Sequence, residues 1–86
     1  MLDKQSFLSQ YNELIEKELN ETIEIIEKSL TKEGFYSGRI TFEKDVPFGV
    51  AKKVMEEVEK HVISAAWSIS YCNNEVGKNL FIVEVS

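Results

Sequence analysis

Three side chains in this sequence have the chemistry of a catalytic or ligating group: Cys72, His61 and Glu18. A cysteine activated by a histidine is a nucleophile pair, and a carboxylate set among apolar neighbours invites a shifted pKa. The sequence gives each a plainer duty. Cys72 falls on a strand next to a turn, and His61 lies at the margin of an apolar helix face. One cysteine and one histidine fall short of the donors of a standard zinc site. Gly77-Lys78 lacks the upstream glycines of a phosphate loop and reads as a turn. No metal spacing, nucleophile elbow or cofactor motif appears. The expectation is a non-enzymatic protein with no metal and no cofactor. A small enzyme, with Cys72, His61 or Glu18 gathered at a dimer interface, ranks last among three functions.

Carboxylates offer a different chemistry. Glu13, Glu16, Glu21, Glu24 and Glu27 gather on one arc of a helical pattern, diluted by Lys17 and Lys28. Helix neighbours three or four apart lie about 5–6 Å from one another, comparable to successive phosphates on a nucleic-acid strand. Such a row suits the basic surface of a partner protein. In its sharpest form it imitates DNA and inhibits a DNA-binding protein, as small viral inhibitors do. A solvated amphipathic helix is the plain alternative. The net charge of −5, from 15 acidic and 10 basic residues, argues against direct binding to nucleic acid or to anionic membranes. A second helical stretch, ending near His61, adds Glu56, Glu57 and Glu59, offset by Lys52, Lys53 and Lys60.

These groups need elements to position them. Phe7, Leu8, Tyr11, Leu14, Ile15, Leu19, Thr22, Ile23, Ile26 and Leu30 recur at spacings of three and four, which predicts one helix from Asp3 to Lys32. Gly34 supplies a left-handed stop, and a break near Asn20 is possible because β-branched residues follow it. Phe35 to Glu43 alternates as a strand, with Tyr36, Ile40 and Phe42 opposite Ser37, Arg39, Thr41 and Glu43. Asp45 before Val46-Pro47 is a candidate cap for a second helix ending near His61, whose apolar side is Ala51, Val54, Met55, Val58 and Val62. Trp67, Ile69 and Tyr71 alternate with Ala66, Ser68, Ser70 and Cys72 in a strand. Asn73 to Lys78 supplies turn residues, and Asn79 to Val85 forms the most apolar strand. The fold class is α+β in the order α-β-α-β-β. A right-handed crossover followed by a hairpin centres the last strand in a three-stranded antiparallel sheet. That is half of a ferredoxin-like sheet, packed by a long N-terminal helix and a second helix. The 86 residues make one domain, with 1–33 the acidic amphipathic helix and 34–86 a β-α-β-β unit.

The apolar arc of helix 1 covers about half its circumference, wider than one contact needs. A homodimer is therefore expected, its interface drawn from Tyr11, Glu18, Leu19, Thr22 and Ile26; cover by helix 2 is the alternative. Glu18, inside that arc, ends at solvent beyond the sheet edge, pairs with Arg39 or a lysine, or fixes dimer register. The second-ranked function, an assembly subunit or adaptor, would use this apolar surface through Leu19 and Ile26. Trp67, Tyr71, Phe42 and Phe81 are assigned to the core rather than to a base-stacking platform. A lone cysteine, the absence of a signal pattern in Met1-Leu2-Asp3-Lys4-Gln5, and a longest apolar run of only Leu80 to Val83 point to a cytoplasmic protein.

Overall fold

A computed structural model describes residues 1–73, 75 and 78–86. Asn74, Val76 and Gly77, on which part of the expected hairpin turn falls, lie outside the described residues. Six elements follow one another: α1 (Lys4–Ser9), α2 (Asn12–Glu33), β1 (Tyr36–Thr41), α3 (Phe48–Ser64), β2 (Ile69–Cys72) and β3 (Leu80–Val85). The sheet is antiparallel in the order β1-β3-β2, so the last and most apolar strand is central, as expected. The architecture is α+β with helices packed on one three-stranded sheet.

The N-terminal helix is not continuous. It breaks at Gln10–Tyr11, and Asn20 lies well inside α2. No glycine or proline marks the break; the reason is tertiary. The first segment, capped by the Asp3 carboxylate accepting from Ser6 N–H at 2.7 Å, buries Leu8 and brings the Phe7 ring against Gly49 in the first turn of α3. A β-carbon at Gly49 would stand 3.0 Å from that ring. Gly34 ends α2 as expected, at φ 76° with its N–H on the Leu30 carbonyl.

Helix α3 begins later than the sequence suggests. Asp45 sits in a turn and makes no cap, while Pro47 occupies the N-cap position with φ −57°. The helix runs past His61 to Ser64. It closes with Ala66 N–H on Ile63 O and Trp67 N–H on Val62 O, a Schellman arrangement. Ala66 therefore takes the left-handed role at φ 69° rather than starting a strand, at a cost of about 1–2 kcal/mol relative to glycine.

The apolar side read for α3 is the core: Ala51, Val54, Met55 and Val58 have no exposed surface, and Val62 is buried. One flank of this helix meets the sheet and the other meets α2. Phe81 on the central strand gathers the aromatics, with Phe42 edge-on at 6.0 Å, Phe48 parallel at 6.3 Å and Tyr71 tilted at 6.3 Å. The aromatic face is core, as expected, with Trp67 and Tyr71 half-buried at its margin. Ser37, Arg39, Thr41, Ser70, Cys72 and Glu84 form the exposed opposite face.

Backbone parity fixes what the edges offer. Phe42 N–H donates to Asn79 O, so Phe42, Ile40, Gly38 and Tyr36 share the bonded pairs with β3. Ser37, Arg39 and Thr41 consequently turn their N–H and C=O groups away from the sheet. The reciprocal Ser68–Ser86 bonds leave Ile69 and Tyr71 pointing outward from β2 in the same way.

Candidate functional site

The 22 residues of α2 form a rod of roughly 33 Å at 1.5 Å per residue. Glu13, Glu16, Glu21, Glu24 and Glu27 are all exposed on it. Among the described residues, the only ion pair on these five is Lys28–Glu24 at 3.6 Å. The acids of α3 are differently placed. Glu57 accepts from Lys53 at 2.8 Å and from Lys60 at 3.4 Å. The hydrogen bond from Lys53 holds the Glu57 carboxyl below the ordinary carboxylate range, and the same bond raises the Lys53 ammonium. Glu59 accepts from the Tyr71 hydroxyl at 3.4 Å. The uncompensated negative surface is therefore on α2.

Two flanks of α2 diverge from that back. One, through Ile23, Ile26 and Leu30, faces the end of α3 and Trp67. The other overhangs the β1 edge and encloses a groove of about 270 Å³. Glu18, Glu21 and Ile25 form its helical wall, and Arg39 and Thr41 its strand wall, with Thr22, Ile40 and Phe42 between them. Glu21 thus leaves the company of the other four predicted glutamates and joins Glu18.

Glu18 is half-buried, and among the described residues no ion pair joins it to Arg39. Burial raises its carboxyl pKa, neighbouring Glu21 and Glu43 raise it further, and Lys17 offsets part of this. A carboxyl whose folded pKa is raised binds its proton more tightly when folded, so stability falls as pH rises from the unfolded value through the folded one. Glu18→Gln is accordingly expected to raise the Tm at pH 7 by about 2 °C, a surface-sized effect of at most about 0.5 kcal/mol. The gain should fade as pH falls toward 3, where the carboxyl is protonated in folded and unfolded chains alike; thermal melts at pH 7 and pH 3 check this.

Of the residues expected at a dimer interface, Thr22 (3 % exposed) and Ile26 (1 %) are buried within the chain itself. Tyr11, Glu18 and Leu19 remain half-buried. Ile25, one residue before buried Ile26, is 52 % exposed. The apolar arc of α2 is thus covered in part by α3 and β1, with Tyr11, Glu18 and Leu19 at its half-open margin.

No protein family, curated protein or solved structure matches this chain. Its function must be argued from its own surfaces.

The candidate catalytic residues are not brought together. Cys72 lines a groove between α3 and β2 with Lys52 and Phe81. Exposed His61 borders the trough beside Trp67, and Glu18 lines the groove at β1. Among the described residues no group of three or more His, Cys, Asp or Glu side chains could hold a metal ion, and no helix is long and apolar enough to cross a membrane.

Asn79 is a residue that sequence reasoning missed. Its side-chain amide donates to Glu43 O at 2.8 Å and Val46 O at 2.7 Å, tying the start of β3 to the loop before α3. Only its position at a turn-to-strand boundary could have signalled this.

Proposed function

We propose that this protein is a non-enzymatic binding module that engages a basic surface of a partner protein through the acidic side of α2. One observation supports this most: five exposed glutamates on a single helix, against one long ion pair among the described residues, while on α3 Glu57 is clasped by Lys53 and Lys60. Exposed charges of one sign that are not neutralised locally raise the encounter rate with an opposite surface and reject wrong partners. Imitation of a DNA phosphate row is the narrower form of the reading, supported by the length of α2 and the helix spacing of its acids.

The test is the binding of a polycation, poly-lysine of defined length, followed by titration calorimetry across a salt series. Affinity is expected to fall steeply between 50 and 300 mM salt, since exposed charge pairs are screened within about 10 Å at 0.1 M. Reversing Glu13, Glu24 and Glu27 to lysine adds two charges at each site and takes the net charge from −5 to about +1. Binding should drop more than tenfold while the far-UV circular dichroism stays the same. Affinity indifferent to both changes would remove the proposal.

A further inference from the structure

We infer that the groove between α2 and β1 receives an extended basic segment of the partner, which joins the sheet as a fourth strand beside β1. This deepens the reading above and rests on it.

The strand wall supplies the first argument. Ser37, Arg39 and Thr41 are exposed and carry outward backbone donors and acceptors, the template for strand addition. Natural sheet edges are commonly blunted by shortness or by lysine or proline on the strand; the six residues of β1 contain neither lysine nor proline. The β2 edge is only four residues long, and the helix beside it, α3, sets Lys52 next to Glu56 and engages Glu59 with Tyr71.

Charge supplies the second argument. Successive side chains of an added strand point to opposite faces. Those on the helix side meet Glu18, Glu21 and the exposed Ile25. A lysine or arginine fits there twice over, its methylene stem on Ile25 and its head at the carboxylates. Those on the other side fall level with Arg39, which disfavours a second cation. The occupant is thus an extended segment with basic residues at every other position. A rise of about 3.3 Å per residue spans the open part of β1 with four to six residues.

Acetyl-(Lys-Thr)₄-amide is the probe, compared with the block peptide acetyl-Lys₄-Thr₄-amide and with a version of the alternating peptide N-methylated at every second residue. Amide resonances and hydrogen exchange are followed by NMR. The alternating peptide should shift the Ser37, Arg39, Thr41 and Ile25 amides and slow exchange at Arg39 and Thr41. N-methylation should abolish that protection, and the double variant E18Q/E21Q should weaken binding about tenfold, two modest charge pairs acting together. Ile25→Lys, which puts a competing cation in the groove and leaves the core untouched, should weaken it comparably. If all three peptides bind alike, with shifts confined to Glu13, Glu16 and Glu24, the groove is not the site, yet the acidic-module reading stands. Absence of binding by any of them, together with failure of poly-lysine, removes both. A dimer that protects the same amides without peptide would overturn the inference in favour of a second copy.

Discussion

Ile26→Ala is expected to lower the Tm by about 10–25 °C, whereas Ile25→Ala, one residue earlier, should change it by less than about 3 °C. Ile26 is 1 % exposed and packs in the main core, while Ile25 is 52 % exposed at the rim of the β1 groove. Cutting a buried isoleucine back to alanine removes its transfer energy and leaves a cavity, about 2–5 kcal/mol together. A domain of this size loses about 4–8 °C per kcal/mol, and its total stability is only about 4–13 kcal/mol. The pair of melts decides how α2 is seated. A small effect at Ile26, independent of protein concentration, would mean that the helix is not held against α3 and β1 as described. A large effect at both positions, growing with dilution, would show the second copy that the width of the apolar arc suggested.

Asn79→Ala is expected to cost about 2 kcal/mol, or roughly 10 °C. Two hydrogen bonds are lost, at about 1 kcal/mol each, with a further penalty wherever water fails to reach the abandoned carbonyls. The bonds to Glu43 O and Val46 O hold the β1–α3 connection against the sheet. Asn79→Asp is the sharper test. At neutral pH it sets a carboxylate against two carbonyl oxygens, so it should be worse than alanine. Protonation returns one donor and should recover part of the loss near pH 3. If aspartate is tolerated at pH 7, the amide is not oriented toward these carbonyls. Its Oδ1 has no hydrogen-bond partner among the described residues, so the side chain acts here only as a donor.

Much of the fold is legible in the residues themselves. Alternation in Tyr36 to Phe42 and in Trp67 to Cys72 assigned the correct face to each strand. The apolar run Leu80 to Val83 marked the central one, because a strand flanked on both sides can afford few charges. The misreadings share one cause. Nothing local marks Gln10–Tyr11 as a break; the gain comes from Phe7 reaching Gly49 of α3 and from the burial of Leu8. Asp45 has the right chemistry for a cap, but the chain turns back through Glu43 and Val46 and leaves it outside the helix. The candidate site divides likewise. That Glu13, Glu16, Glu24 and Glu27 face water followed from the helix period. That Glu21 instead joins Glu18 and Ile25 over an open strand edge did not.

By itself the sequence determined the α+β class, the three strands and their faces, the central strand and most of the acidic back of α2. Periodicity records these because a side chain's face follows from its position within one element. The tertiary structure alone decided which element lies against each flank of α2: α3 on one side, and β1 on the other, leaving a groove. Those contacts depend on how separate elements pack, and burial looks the same in a sequence whether the covering surface belongs to the chain or to a partner.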